Sequence, residues 1–392
     1  MLDINRLRAD TPGCEQLVHF NNAGASLSPA VVAAAIARHQ QREIRLGGYE
    51  AADAAQAETA AVYAGVARLL NARTEDIALV DNATRAWDML FYALPLKAGD
   101  VVLTSASEYA GNYIPYLQLK QRLGIQIEVL ANDEQGQVCL AALQARLQGP
   151  GVALVSLPMI ASNGGVVQPV QAIGALCRAA GVLFLLDACQ AAGQVPLDVR
   201  AIGCHMLTAT SRKYLRGPRG VGFLYIEQAL CQRLEPTFLD LHAASLVSAD
   251  AFEIRADARR FESWESNLAV RLGFGAAVDY ALGVGVDALW ARIRHLANYL
   301  RTALHTLPGY HCQDVGQPLS GLVTFTSEHH APAAIQHYLA HLPQRINVSV
   351  SGAASTWLDM QQRGLESVVR ASVHAYNTEA ELDSLVDALR AL

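Results

Sequence analysis

The chain of 392 residues lacks an apolar run long enough to cross a bilayer, since no segment reaches about 18 uninterrupted apolar residues. The first residues, MLDINRLRADTPG, lack the apolar core of a secretory signal, so we expect a cytoplasmic protein without a membrane partner. Basic residues are not in surplus either. The formal net charge is -6, which argues against a general nucleic-acid-binding surface.

Cysteine pairs and metal-ligand clusters are also missing from the sequence. There is no CxxC pair, and an odd, scattered set of cysteines is typical of reduced thiols that mostly fill the core. His337 and His341 have i,i+4 spacing, but no third ligand stands near them, so a solvated helix face is favoured and no metal site is predicted. The seven cysteines are Cys14, Cys139, Cys177, Cys189, Cys204, Cys231 and Cys312.

Short apolar runs alternate with helical patterns between residues 77 and 225. Continuous apolar strands that alternate with helices favour a mostly parallel sheet covered on both faces, the large domain of an α/β protein. Ligands collect at the carboxyl ends of such strands. The predicted strands are 77–80, 100–106, 125–130, 152–158, 182–188 and 221–225, with helices predicted over 85–94 and 170–181.

The last third of the chain has a different pattern, in which helices and short strands are interleaved. We therefore predict a large domain over residues 16–260 and a smaller α+β C-terminal domain over residues 261–392, with residues 1–15 packing nearby. The predicted elements of the small domain are helices over 261–282 and 290–307 and strands at 322–326, 346–350 and 368–373.

Polar side chains follow several of the predicted strands. Asp187 ends a buried strand, where a carboxylate is costly unless a cation pairs with it. Tyr109 and Asn163 follow two other strands, and residues 82–84 (Asn-Ala-Thr) stand at a strand-to-helix junction, where free N–H groups and the helix dipole favour a phosphate. Each feature alone has an ordinary explanation as a helix cap, a solvated face or core packing. Their order along one sheet edge favours a ligand site.

Four cations within eight residues are unusual in a chain that has more acids than bases. Lys213 lies among Arg212, Arg216 and Arg219, and this local charge calls for a local anion. A lysine for the aldehyde, a carboxylate for the ring nitrogen and a cradle for the phosphate are what pyridoxal phosphate (PLP) requires. Arg212 and nearby hydroxyls would form the cradle, and desolvation with the surrounding charge would lower the pKa of Lys213. The sequence leaves the roles of Arg216 and Arg219 open: they could contact the substrate or the phosphate, lie at a subunit boundary, or stabilise the turn.

Nearly the whole chain carries a specific series of short strings: HFNNAGASLSP, NATRAWD, SEYAGN, ASNGGVVQPV, LLDACQAAGQVPLDV, SRKYLRGPRGVGFLY and VVRASVHAYNTEAELD. This series resembles the class V (cysteine desulfurase-like) branch of the fold-type I PLP-dependent enzymes. The resemblance implies the α/β fold of that class, PLP as the cofactor, a small amino acid as the substrate and a homodimer.

The resemblance also implies roles for individual residues. Lys213 would form the covalent link to PLP, Asp187 would pair with the ring nitrogen, and Tyr109 would stack on the ring where desulfurases place a histidine. The further cofactor contacts would be Gln190 and Asn163 near the ring oxygen and Ala83, Thr84, Thr210 and Arg212 around the phosphate. The substrate contacts would be Arg370 at the α-carboxylate, as a bidentate partner, with Asn163 and Ala25 beside it.

The segment over residues 349–360 departs from the desulfurase pattern. In desulfurases this mobile loop supplies the cysteine that takes up sulfur as a persulfide, whereas SVSGAASTWLDM has none. Cys231 and Cys312 lie outside it, and the histidine that precedes the lysine in desulfurases is replaced by Arg212. We therefore do not expect an enzyme persulfide.

Within the class, the strings GGYEAADAA, SEYAGN, SRKYLRGPRGVGFL and SNLAVRLGF resemble the hercynylcysteine sulfoxide lyases of ergothioneine biosynthesis. This narrower resemblance implies a C–S lyase that performs β-elimination on a cysteine conjugate or its sulfoxide and releases a sulfur product, pyruvate and ammonia. Three alternatives stay open because their reactions begin with the same proton abstraction: a class V epimerase, an aminotransferase, and a desulfurase-like enzyme without the persulfide cysteine. A cofactor-binding protein without activity is disfavoured because Lys213, Asp187 and Arg370 are all retained.

The side chains that recognise the distal part of the substrate are less specific. An imidazole-bearing or cationic tail would suit aromatic and polar walls, although packing explains each candidate equally well. The candidates are Arg45, Tyr49, Tyr113, Tyr116, Trp264 and Trp357. In ESWESN (262–267), Glu265 or Ser266 stands where the family has a threonine contributed by the partner subunit.

Overall fold

The computed structural model describes residues 2–392. Several of its helices begin at a residue whose side chain caps the first turn. Asn82 and Asn267 each accept a hydrogen bond from a backbone N–H in the first turn of the helix that follows. Thr378 and Glu381 form a reciprocal capping box. The helices are α1 (Ile4–Ala9), α2 (Ala30–Leu46), α3 (Gly48–Ala54), α4 (Gln56–Leu70), α5 (Ala83–Phe91), α6 (Ala110–Leu123), α7 (Leu140–Leu147), α8 (Val170–Ala180), α9 (Val199–Ile202), α10 (Gln228–Cys231), α11 (Leu268–Val284), α12 (Val286–His305), α13 (Pro332–Ala340), α14 (Trp357–Gln362) and α15 (Glu379–Ala391).

The strands are short and mostly buried, as the apolar runs in the sequence predict. They are β1 (Val18–His19), β2 (Ile77–Val80), β3 (Val101–Ser105), β4 (Gln126–Leu130), β5 (Val152–Pro158), β6 (Leu183–Asp187), β7 (Met206–Thr210), β8 (Gly222–Ile226), β9 (Ala244–Ser248), β10 (Ala251–Ile254), β11 (Tyr310–Cys312), β12 (Leu322–Ser327), β13 (Ile346–Asn347), β14 (Ser349–Gly352) and β15 (Ser367–Ser372).

The central sheet has seven strands in the order β2-β8-β7-β6-β5-β3-β4. From β4 to β7 all neighbours are parallel, whereas β8 is antiparallel to both β7 and β2. Six strands therefore run in one direction, and their carboxyl ends lie at the same edge. Successive side chains such as Leu185 and Leu186 belong to two separate cores, so helices cover both faces. The predicted α/β fold with a mostly parallel sheet is confirmed.

Several elements differ from the sequence-based prediction. The predicted strand over 346–350 is divided into β13 and β14, and β1, β9, β10 and β11 were not predicted. Strand β7, in the middle of the sheet, was not predicted, because its sequence MLTAT has two threonines that interrupt the apolar run. The helix expected over 261–282 begins only at Leu268. Residues 262–267 are not helical, and the buried Glu262 among them accepts hydrogen bonds from Tyr63 and from the backbone N–H of Leu79.

A second sheet lies in the C-terminal part, with four antiparallel strands in the order β11-β12-β15-β14. Helices α12 and α13 pack against it, and α15 packs against these two helices. The N-terminal segment also lies here, since β1 pairs in parallel with β13 and Arg8 forms a 2.7 Å ion pair with Glu381. The arrangement agrees with a small α+β domain, while its boundary at residues 260/261 stays a prediction.

Helices α11 and α12 are consecutive, and the chain between them turns at Gly285. The φ of Gly285 is 91°, a value that favours glycine because the Cβ atom of any other residue would clash with its own backbone. The bend between the helices is 80°. Within residues 2–392 no single helix has the length and apolar composition of a membrane span, although these two helices satisfy both criteria when taken together.

Candidate active site

The carboxyl edge of the central sheet borders a cavity of about 320 Å³. Most residues predicted for the site reach it, because the strands that carry them end side by side. The lining residues are Ala23, Gly24, Asn82, Ala83, Thr84, Tyr109, Pro158, Ile160, Ser162, Asp187, Cys189, Gln190, Thr210, Arg212, Lys213, Val350, Ser351, Ser355 and Arg370. Residues from the second sheet therefore complete the lining of a cavity that lies at the edge of the central sheet.

Lys213 is presented by the loop between β7 and β8. Thr210 and Gly222 are paired at the base of this loop, so adjacent strands hold both of its ends. Burial lowers the pKa of Lys213 from its usual value. Asp187 and Cys189 oppose this shift, while the positive charges of Arg212 and Arg370 add to it. The lysine is thus favoured toward the neutral amine that nucleophilic attack requires.

Asp187 ends β6 and is 8% exposed. One carboxylate oxygen, Oδ1, accepts a hydrogen bond from the backbone N–H of Cys189 at 2.8 Å. The other, Oδ2, accepts one from the Asn112 side-chain amide at 2.9 Å. These donors stabilise the charged carboxylate next to the cavity, where it suits a protonated ring nitrogen.

The start of α5 lies against β8 and points its free N–H groups toward the cavity. Asn82 caps the helix, and Ala83 and Thr84 form its first turn. A Cβ atom on Gly222 would lie 2.4 Å from the carbonyl carbon of Asn82, so only glycine allows this close approach. Arg212 also lines this cavity and donates a hydrogen bond to the Gly24 carbonyl. The arrangement suits a phosphate, as the sequence predicts.

Two buried side-chain oxygens beside the cavity have no hydrogen-bond partner within residues 2–392: Gln190 Oε1 and Asn163 Oδ1. The amide nitrogens of these residues are bonded, Gln190 to the Ala23 carbonyl at 3.2 Å and Asn163 to Thr356 Oγ1 at 2.9 Å. Buried polar atoms are rarely left unpaired, so the oxygen of Gln190, which lines the cavity, favours a polar ligand. A lysine, a carboxylate, a helix-start phosphate site and this unpaired acceptor together fit PLP.

Two predicted substrate contacts lie behind the cavity surface that residues 2–392 form. Ser162 lines the cavity where Asn163 was expected, and Ala23 and Gly24 line it where Ala25 was expected. The Ala25 carbonyl is instead bonded to a ring nitrogen of His19 at 2.9 Å. The roles proposed for Asn163 and Ala25 stay predictions.

Arg370 lies on β15 and extends from the second sheet toward the cavity. Its Nε donates to Ser349 Oγ and its Nη1 donates to the Ser162 carbonyl, both at 3.2 Å. Burial lowers the pKa of Arg370 from its usual value, with Arg212 adding to the effect. The two bonds orient the guanidinium and leave other N–H groups for a carboxylate.

Residues 349–360 form an ordered wall in the structure. They comprise β14, a short 3₁₀ turn and the start of α14. Ser351 and Ser355 line the cavity where desulfurases carry their cysteine loop. Sequence analysis missed the thiol that does reach the cavity, Cys189, which was grouped with the core cysteines although it follows Asp187 by two positions. Burial, with the negative charge of Asp187, raises the pKa of Cys189 well above its usual value.

The other two cations of the cluster do not line this cavity, as formed by residues 2–392. Arg216 is buried, donates to the Leu27 carbonyl at 2.9 Å and lies 4.7 Å from the ring centroid of Tyr376. Arg219 is exposed. Arg216 therefore has a structural role, and the sequence cluster divides into two site residues and two others.

The six candidates for the distal substrate group do not line the cavity formed by residues 2–392 either. Tyr116 is fully buried and packs edge-on against Trp87 and Phe91. Tyr49 and Trp264 border a separate surface cavity of about 470 Å³. Packing is thus the correct interpretation of Tyr116, and none of the six is placed beside the lysine.

Comparison with known proteins agrees with this geometry. The family model for class-V aminotransferases matches residues 18–385. A probable cysteine desulfurase of Xylella fastidiosa is 31% identical, covering 99% of this chain and 95% of that protein. A probable hercynylcysteine sulfoxide lyase of Mycobacterium tuberculosis is 29% identical, covering 98% of this chain and 92% of that protein.

Two solved structures of C-DES, described as a cystine C–S lyase, share the fold. One has glycine covalently linked to the PLP cofactor, with a TM-score of 0.87, 26% identity and coverage of 98% of both chains. The other holds the product cysteine persulfide, with a TM-score of 0.86, 26% identity and coverage of 97% of this chain and 99% of that chain. The predicted family and the predicted cofactor are confirmed. This chain belongs to the class-V aminotransferase family and is a PLP-dependent enzyme of the cysteine desulfurase-like type.

Proposed function

We propose that this chain is a C–S lyase that performs β-elimination on a cysteine conjugate or its sulfoxide and releases a sulfur product, pyruvate and ammonia. One observation carries the proposal: the wall over residues 349–360 offers the hydroxyls of Ser351 and Ser355 to the cavity and contains no thiol. A desulfurase needs a mobile thiol to accept sulfur, whereas an elimination does not.

Each residue of the site has a separate role in the proposed reaction. PLP, when bound, accepts the electron pair that the α-carbon keeps as its proton leaves. Arg370 binds the α-carboxylate, and Asp187 holds the proton on the ring nitrogen. With PLP bound, Lys213 would take the proton from the α-carbon of the substrate. The β-carbon then loses its sulfur group, and the released 2-aminoacrylate hydrolyses to pyruvate and ammonia.

Cys189 does not serve as the sulfur acceptor in this proposal. A thiolate is the nucleophile in persulfide formation, and the raised pKa keeps this thiol protonated. In the proposed reaction, the hydroxyls of Ser351 and Ser355, two residues that line the cavity, would donate to the leaving group. A sulfoxide leaves as a sulfenate, which needs less proton donation than a thiolate.

The named relatives support the reaction class and differ in their substrates. The cystine lyase and the probable hercynylcysteine sulfoxide lyase both carry names that denote C–S bond cleavage in a cysteine derivative. The shared chemistry is therefore a leaving sulfur on the β-carbon of an α-amino acid. Hercynylcysteine sulfoxide is the specific substrate that we propose within that class.

A substrate panel tests the proposal. The purified holoenzyme is given cysteine, cystine, cysteine-conjugate thioethers and their sulfoxides, with the Lys213→Ala variant as the control. We expect pyruvate with a conjugate or sulfoxide and no turnover by the control. Formation of alanine from cysteine would indicate a desulfurase. An oxo acid that retains its sulfur would indicate an aminotransferase, and loss of optical activity without any other product would indicate an epimerase. Each of these results, or turnover that survives in Lys213→Ala, contradicts the proposal.

We also propose a homodimer and cytoplasmic residence. Large apolar side chains are exposed on several elements, including Ile44 at the end of α2, Tyr49 on α3, and Leu246 and Phe252 on the β9–β10 hairpin. Exposed apolar groups of this size are costly in water, which supports a second copy as their cover. Light scattering coupled to size exclusion measures the mass, and a monomer at micromolar concentration contradicts the dimer.

A further inference from the structure

Glu108 is a buried carboxyl group directly behind the proposed cofactor site. It lies between β3 and α6 and is 3% exposed. It does not line the cavity, so the proposed reaction leaves it without a role. A buried acid is costly to keep in a fold unless it is bonded and serves a neighbouring group.

Four donors converge on the Glu108 carboxylate. Its Oε2 accepts hydrogen bonds from Thr104 Oγ1 at 2.9 Å and from the Tyr116 hydroxyl at 3.0 Å. Its Oε1 accepts from the backbone N–H of Tyr109 at 2.8 Å and from the Asn112 amide at 3.0 Å. These donors offset part of what the ionised form loses by leaving water.

The Asn112 amide joins Glu108 to Asp187. Its Nδ2 donates to Glu108 Oε1 at 3.0 Å and to Asp187 Oδ2 at 2.9 Å, one hydrogen to each carboxylate. Asn112 is itself 4% exposed, so water does not compete for these bonds. The two acids are therefore held less than two hydrogen-bond lengths apart, with a neutral amide between them.

Two buried carboxylates at this separation repel each other. Burial, and next the negative charge of Asp187, raise the pKa of Glu108 to about 7, while the bonds from Asn112, Thr104 and Tyr116 oppose the shift. A cation placed beside Asp187 offsets the negative charge that Glu108 faces and favours the ionised form of Glu108. The cavity next to Asp187 is where the proposed function places a protonated ring nitrogen.

We propose that Glu108 is a positioning residue for the cofactor: through Asn112 it fixes the Asp187 carboxylate and adds a second negative charge behind the ring nitrogen. The inference rests on the roles of Asp187 and Lys213 in the proposed function. Asp187 contacts the cofactor in this arrangement, and Glu108 acts only through it.

The test is a pH titration of the visible absorption of the Lys213–PLP link, together with the dissociation constant of PLP. Glu108→Gln keeps the shape and removes the charge, Glu108→Asp keeps the charge, and Glu108→Met is a second uncharged variant if the glutamine variant does not fold. Glu262→Gln is the matched control, because Glu262 is an equally buried, multiply bonded carboxylate that does not line the cavity. Cys189, Arg212 and Arg370, which also act on Lys213, are the same in all variants.

We expect Glu108→Gln or Glu108→Met to lower the titration midpoint by about one pH unit, since a negative charge at this range stabilises the protonated link. PLP should bind at least about tenfold more weakly. Glu108→Asp should titrate close to the native enzyme, and Glu262→Gln should not move the midpoint. An unchanged midpoint in the uncharged variants, or an equal shift in Glu262→Gln, overturns the inference. Native protein without the visible band would contradict the proposed lysine site itself, which is a different result.

Discussion

Asn163 donates a hydrogen bond to Thr356 Oγ1 at 2.9 Å, and this contact ties the first sheet to the wall that closes the cavity. Asn163 follows β5 in the large sheet, whereas Thr356 lies between β14 and α14 in the C-terminal part. Both side chains are buried, at 2% and 0% exposure. The wall is therefore fixed at a single polar contact from the opposite side of the cavity.

Thr356→Val should loosen the wall over residues 349–360. The change leaves the Asn163 amide unpaired in a buried place, which costs about 1–3 kcal/mol. We expect a higher KM for the substrate and faster proteolytic cleavage in this segment. Thr306→Val is the control, because the Thr306 hydroxyl is bonded only on the exposed end of α12. Equal cleavage rates in Thr356→Val and native protein would show that the contact does not hold the wall.

Arg370→Lys should weaken substrate binding more than it slows turnover. Lysine keeps the charge but cannot form a bidentate pair with a carboxylate. A hydrogen bond to a charged group contributes about 1.5–3 kcal/mol, so KM should rise at least about tenfold. Arg345→Lys, at an exposed arginine that bonds Asn347 at 2.9 Å, should leave KM unchanged. A native KM in Arg370→Lys would remove Arg370 from the substrate site.

Cys189→Ser should retain pyruvate formation and release of the sulfur product. The raised pKa keeps the partly buried thiol beside Asp187 protonated, so serine replaces it in size without removing a nucleophile. The assay compares the yield of sulfur product with that of pyruvate in native and variant enzyme. Loss of sulfur release in a variant that still binds PLP would indicate a persulfide on Cys189 and would contradict the elimination.

Gly222→Ala should weaken PLP binding. The new Cβ would meet Asn82 and the backbone nitrogen of Ala83 at 2.4 and 2.6 Å, so the start of α5 must move away from β8. We expect the dissociation constant of PLP to rise at least about tenfold, because the phosphate site is formed by this helix start. Gly283→Ala is the matched control, since a Cβ atom at Gly283 meets nothing within 4 Å. Equal PLP affinity in both variants would place the phosphate elsewhere.

The stability of the PLP-free protein should depend on Glu108 in a defined pH range. Its pKa is raised from 4.5 to about 7, so the folded state binds a proton more tightly than the unfolded state. The contribution to the free energy of unfolding is therefore fully present below about 4.5 and is lost as the pH rises toward about 7. The slope approaches roughly 1.4 kcal/mol per pH unit at most. Urea unfolding across this range should show a smaller slope in Glu108→Gln, and equal slopes would contradict the assignment.

The sequence predicted most of the fold because its information there is local. Apolar runs such as 182–188 and 152–158 mark buried strands wherever they occur, and each predicted strand of the large sheet is present. Strand β7 was missed because MLTAT is neither a continuous apolar run nor a clean alternation. The late start of α11 was missed because the buried Glu262 depends on Tyr63, a partner far away in the chain.

The sequence predicted those site residues that stand next to the end of a strand. It did not predict residues whose role depends on contacts with distant parts of the chain. Asp187 and Lys213 line one cavity as their positions beside strands indicate, and Arg370 lines it as the family resemblance implies. Cys189 reaches the same cavity, but a scattered cysteine gives no sign of this. Glu108 and Tyr116 form a hydrogen bond that no spacing rule predicts, so the sequence alone left Tyr116 open between a substrate wall and packing.

The reversed direction of β8 has a consequence for how the enzyme can diversify. Because β8 runs back along β7, the segment that carries Lys213 leaves and re-enters the same sheet without crossing it. Adjacent strands thus hold both ends of the segment that presents the amine. The C-terminal sheet, which supplies Arg370 and the serine wall, can change its contacts with new substrates while the reactive amine stays in place.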